Sequence, residues 1–140
     1  MGDEAIEIYN KALELGLEMR QLPYNEVRRI YNGVGAEWMG DDIRAMLDKL
    51  SKTLLPAVLV HDMDYAYGTG TYIDFVAANI RLKNNGRICA DAEYGWYNPM
   101  RYIVRRQAKL FSKLCDTFGL LAYNAAIEET KEHKNKEKSK

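Results

Sequence analysis

His61 and Tyr65 stand four residues apart in Leu54-Leu-Pro-Ala-Val-Leu-Val-His-Asp-Met-Asp-Tyr-Ala-Tyr67. On a helix that spacing puts both side chains on one face and turns Asp62 about 100° away. The seven residues before the histidine, 54–60, are all apolar. An imidazole in so dry a setting is held neutral, the form a general base needs, and the adjacent Asp62 is left to ligate a metal. Asp74 lies beyond the Gly68-Thr-Gly70 break at a distance comparable to that of His61 before it, so a helix pair can bring the two together. A carboxylate there would fix the imidazole tautomer and stabilise the imidazolium as it forms. Tyr65 could then donate its hydroxyl to Asp74. Two plainer readings stay open: His61 as a satisfied core histidine, and Asp74 as the cap of the second helix.

A second constellation precedes it. Tyr31-Asn-Gly33-Val-Gly35 opens a stretch that ends at Gly40 and has three glycines in ten residues. Alternating residues in such a loop can turn successive carbonyls toward one point, and calcium takes six to eight oxygens, backbone carbonyls included. Three loop carbonyls, the Asp62 carboxylate and water would complete a site. The chain has only two His and two Cys and shows no EF-hand pattern, which argues against a zinc centre or an EF-hand.

The elements that must position these groups read as helices. Apolar positions recur at three and four through most of the chain, and alternating β-branched runs are scarce, so the expected class is all-α. A first amphipathic helix is expected over 3–21, capped by Asp3 and ended by Pro23. A short helix at 25–30, one from Asp41 or Asp42 to about 50, and a buried central helix over 54–67 follow. A helix begins at 71 and reaches about 82. The short break at 68–70 makes it antiparallel to the central helix, giving an αα-hairpin. A Gly-, Asn- and Tyr-rich connection over 84–98 then leads to a long helix from Pro99 to Gly119 and a last segment over 120–129. Residues 130–140 have no apolar side chain and are expected to be a disordered charged tail after a single domain over 1–129.

The two constellations together resemble phospholipase A2: Tyr-x-Gly-x-Gly followed, about thirty residues later, by His-Asp-x-x-Tyr on a buried helix. The character is that of the small, disulfide-poor members found in bacteria, parvoviral capsid proteins and phage or prophage genes, over roughly residues 31–126. The resemblance implies a calcium-dependent hydrolase of the sn-2 ester of phospholipids. His61 would be the base that deprotonates the attacking water, and Asp62 with the carbonyls of Tyr31, Gly33 and Gly35 would hold Ca²⁺. The Gly33 N–H would be a second oxyanion donor, and Asp74, supported by Tyr65, would orient His61. A second supporting tyrosine is open among Tyr72, Tyr94, Tyr97 and Tyr102. A catalytically inactive helical interaction protein on the same scaffold is the alternative. A His-Asp phosphohydrolase would need more histidines than His61 and His133.

Composition bounds the partners. With 20 Lys+Arg, 20 Asp+Glu and 47% hydrophobic residues in 140, the chain has zero formal net charge, and no nucleic-acid partner is expected. An acidic start and the lack of an 18-residue apolar run predict neither a secretory signal nor a membrane span. The expectation is therefore cytoplasmic synthesis followed by virion association or release. A peripheral phospholipid surface is the expected partner, met through Trp38, Met39, Leu17 and Met19 and a basic stripe of Arg101, Arg105, Lys109 and Lys113. Cys89 and Cys115 are expected to be packed thiols, with a single bridge as the alternative.

Overall fold

A computed structural model describes residues 3–32, 45 and 49–139, and these form six α-helices and no strand. The helices are α1 (Glu4–Glu14), α2 (Tyr24–Tyr31), α3 (Leu55–Ala66), α4 (Tyr72–Glu93), α5 (Pro99–Phe118) and α6 (Leu120–Lys138), with a single 3₁₀ turn at Lys52–Leu54 before α3. The all-α expectation holds. The helix expected to end near residue 50 lies mostly outside the described residues, with only Ala45 and Lys49 seen as helical.

The first helix is shorter than its apolar stripe suggested. Gly16 takes a left-handed φ of +70° and ends α1 two turns before Pro23. The Leu17 N–H reaches the Ala12 carbonyl at 3.2 Å and the Gly16 N–H reaches Leu13 at 3.1 Å. This is the paired bonding that satisfies a helix C-terminus, and Ala12 and Leu17 meet in the core beneath it.

α3 has Pro56 in its first turn and is buried along most of its length by α1, α2, α4 and α6. The hairpin to α4 is as expected: Gly70 adopts φ +86°, and the Thr71 hydroxyl accepts from the Asp74 N–H at 3.2 Å to cap α4. Tyr123 of α6 closes this turn, its hydroxyl accepting from the Gly70 N–H at 2.9 Å.

Residues 84–93 were expected to be a connection, and they are the second half of α4 instead. The Asn-Asn-Gly there serves packing. Asn85 accepts from the Glu18 N–H at 2.9 Å and donates to the Glu18 carbonyl at 3.0 Å, fastening the α1–α2 connection. A Cβ on Gly86 would stand 2.4 Å from the Ala108 Cβ, so the glycine sets how closely α4 and α5 approach. Gly86→Ala is accordingly expected to destabilise the protein by about 1–2 kcal/mol, because overpacking outweighs the better helix propensity of alanine. Adding Ala108→Gly should recover most of that loss in urea unfolding; an equally unstable double variant would refute the close-approach account.

The tail expected over 130–140 is also corrected, since α6 continues to Lys138. Thr130 is buried and accepts from the Arg29 guanidinium at 3.0 Å, and His133 Nε2 lies 3.3 Å from Glu26. Glu26 holds Arg29 at 2.9 Å and also accepts from the Tyr67 hydroxyl, and these contacts keep its carboxyl below the usual range. The charged helix is thereby clamped to α2 and to the end of α3.

Candidate active site

His61 lies on the inner face of α3 and is buried against the Tyr65 ring, 4.1 Å between centroids, and the edge of Phe111 at 6.3 Å. Its Nε2 is 2.8 Å from Asn79 Oδ1. The same oxygen accepts from the Tyr65 hydroxyl at 2.7 Å, while Asn79 Nδ2 donates to Asp116 Oδ1 at 2.8 Å. Two donors on Oδ1 and a carboxylate on Nδ2 fix the amide orientation. An amide oxygen can only accept, so His61 Nε2 carries the proton and Nδ1 the lone pair. Asn79 is fully buried, and its backbone carbonyl accepts from the Ser112 hydroxyl at 2.6 Å.

The structure brings His61 and Tyr65 together as their spacing required, but it does not bring Asp74 to them. Asp74 lies in the first turn of α4, where its carboxylate accepts from the Thr69 N–H at 3.2 Å. That contact and the Thr69 side chain lower its pKa. The pattern Thr71-x-x-Asp74 is a capping arrangement, and capping is where the residue is used. Asn79, five residues farther along, takes the position by His61 that Asp74 was expected to fill, and Tyr65 donates to it rather than to Asp74. The carboxylate behind that amide comes from α5 as Asp116.

Burial pulls the His61 imidazole down to about 4, with the Asn79 bond and Asp116 acting weakly in the other direction. At His61 the unfolded chain therefore binds more protons than the folded one between pH 4 and 6.5. The contribution of this residue to stability is full above about pH 6.5 and falls as the pH drops toward 4, by about 3 kcal/mol over the window, while the raised Asp62 carboxyl acts in the opposite direction. His61→Gln should lack this loss. Urea unfolding in EGTA at pH 7 and pH 4.5 is expected to show the variant gaining about 2–3 kcal/mol on the native chain at the lower pH; parallel losses would mean that another group governs the acid limb.

Asp62 is half-buried, and burial pushes its carboxyl up to about 7. By helical position it lies between the His61 face and the Leu59–Met63 face, which α2 covers through Val27, Ile30 and Tyr31. Tyr31 is the last residue of α2. Asp62 supplies the oxygen chemistry that calcium takes, and burial without a cation beside it among the described residues disfavours its charged form. Gly33 and Gly35 lie outside the described residues. Among the described residues no group of three or more His, Cys, Asp or Glu side chains could hold a metal.

Around the site, the Cys115 thiol is pushed up to about 12, chiefly by burial, and is in hydrogen-bonding reach of the Tyr65 hydroxyl. A Cβ on Gly119 would meet the Tyr65 oxygen at 2.8 Å, so the helix junction must be bare for that hydroxyl to reach Asn79. Cys89 and Cys115 are both free and buried.

The expected membrane rim is altered. Leu17 is core, and Met19 is half-buried and packs on two core clusters; neither forms an apolar rim. Trp38 and Met39 lie outside the described residues. Arg101 and Arg105 both turn onto Asp91, while Lys109 and Lys113 are exposed. No helix among the described residues is long and apolar enough to cross a membrane. No family model, no curated protein and no solved structure matches the chain.

Proposed function

We propose that the chain is a calcium-dependent, phospholipase A2-like hydrolase of the sn-2 ester of phospholipids, working at a membrane surface. The observation that carries this reading is a buried, neutral His61 whose Nε2–H is committed to Asn79, beside a half-buried carboxylate one residue on. With Nε2 engaged, Nδ1 is the atom that would take a proton from water as that water attacks the ester carbonyl. Asn79 holds the ring in this tautomer, and Tyr65 holds Asn79. The imidazolium formed on proton transfer would be stabilised through the polarised amide by Asp116, then would give its proton to the leaving glycerol oxygen. Asp62 and the carbonyls of Tyr31, Gly33 and Gly35 are the groups that would hold Ca²⁺, which when bound supplies a positive charge for the developing oxyanion.

The test is release of fatty acid and lysophospholipid from mixed phospholipid vesicles, with calcium and then with EGTA. Calcium-dependent sn-2 release is the expected outcome. A second reading, a non-hydrolytic interaction protein on this scaffold, is favoured by one observation: Asn79 is neutral where a carboxylate would stabilise imidazolium more strongly. No release, together with a melting temperature indifferent to calcium, would establish that second reading.

A further inference from the structure

The turn between α4 and α5 displays two aromatic rings. Trp96 and Tyr97 are each 75% exposed and pack edge to face with centroids 5.9 Å apart. The turn itself is fastened: Asn98 accepts from the Met100 N–H at 3.0 Å, and the Tyr102 hydroxyl donates to the Trp96 carbonyl at 2.9 Å. Two large rings held out by an anchored turn, with Met100 and Ile103 also exposed behind them, form an apolar tip exposed to solvent.

Positive charge exceeds negative around this tip. Arg101 and Arg105 approach Asp91 at 2.8 and 2.7 Å, and Arg87 lies 3.9 Å from the same carboxylate, so three guanidiniums share one negative charge. Within about 10 Å of the tip along the two helices, residues 87–106 hold Arg87, Arg101, Arg105 and Arg106 against Asp91 and Glu93, a local excess of two positive charges in a chain of zero formal charge. The end of the aromatic hairpin is thus locally basic.

We propose that this α4–α5 tip is a docking surface for an anionic phospholipid bilayer, with Trp96 and Tyr97 at headgroup depth and the surrounding cations on the lipid phosphates. Amphipathic rings suit the bilayer boundary, and long cationic side chains lay apolar stems along it while their heads reach anionic groups. The exposed Met100 and Ile103 favour lipid over nucleic acid, whose phosphate backbone offers nothing for them to bury against. Along α4 the tip is about 21 Å from Asn79, so it is separate from the His61 site. The inference extends the hydrolase reading by naming a surface through which a membrane is met, and it is tested without turnover.

Sedimentation of the full chain in EGTA with phosphatidylcholine vesicles, with and without phosphatidylserine, reads the affinity directly. The native chain should bind the serine-lipid vesicles at least about tenfold more tightly, and Trp96→Ala/Tyr97→Ala should lose about tenfold. Arg106→Gln should lose about fivefold. Both variants change exposed positions and should keep the native melting temperature. Equal binding by native chain and aromatic variant, or no preference for serine lipid, overturns the proposal. Preference for a single-stranded oligonucleotide over either vesicle would instead make the tip a nucleic-acid surface. Absence of fatty-acid release leaves these binding outcomes unaffected, so the two readings fail separately.

Discussion

His61→Gln is expected to lower calcium-dependent fatty-acid release by about 10²–10⁴-fold, the range that a positioned general base supplies. The fall should appear in kcat, because the imidazole acts on a proton in flight and contributes little to holding lipid. Glutamine keeps a side-chain amide within reach of Asn79, so at pH 7 the fold should survive with a near-native melting temperature. Asp62→Asn should be as inactive and should also lose the upward shift of melting temperature that calcium is expected to give the native chain. The pair separates base from ligand, since His61→Gln keeps the calcium response and Asp62→Asn does not. Full activity in His61→Gln would sink the mechanism, whatever calcium does.

Asn79→Leu is expected to be the most damaging single change to stability. Asn79 is fully buried and bonds His61 and Tyr65 through its oxygen and Asp116 through its nitrogen. Leucine fills similar space but strands the Tyr65 hydroxyl and the His61 Nε2–H without acceptors, a loss of about 3–5 kcal/mol. In guanidinium unfolding the midpoint should drop steeply with little change in slope. Asn79→Asp makes the complementary point. It keeps the acceptor for both donors but sets a second carboxylate against Asp116, which raises the pKa of the pair in the folded state. Its penalty should therefore be small near pH 4 and grow as the pH rises through the raised value; a pH-independent penalty would mean that Asp116 is not the partner the geometry shows.

His61, Asp62 and Tyr65 were legible because helical spacing alone relates them, and the hairpin was legible because Gly68-Thr-Gly70 interrupts two apolar helices. Asn79 was not. An amide carries no charge to mark it, and it stands behind a carboxylate, Asp74, at an apparently suitable place in the sequence. The signal that Asp74 was committed elsewhere was present in Thr71-x-x-Asp74, a capping pattern that competes with any role across the hairpin. The second half of α4 was hidden for another reason. Asn84-Asn-Gly86 has loop composition, and its helical state depends on partners distant in sequence, Glu18 and Ala108, that local propensity does not contain. α6 beyond residue 129 is similar: its lack of apolar residues suggests a solvated tail, yet Thr130 and His133 find Arg29 and Glu26. The segment after Tyr31, where the calcium ligands are expected, lies outside the described residues, so that expectation rests on the residues themselves.

The clamp between α2 and α6 carries a consequence for how the chain is made. Arg29 and Thr130 are 101 residues apart. At about 5–20 residues per second, a ribosome that has just added Arg29 needs roughly 5–20 s to reach the threonine that receives it. During that interval α2 has Glu26 and Arg29 paired with each other but lacks the buried neighbours that desolvate them. Its eight residues are too few to persist as an isolated helix in water. The N-terminal quarter of the chain is thus synthesised early and secured late.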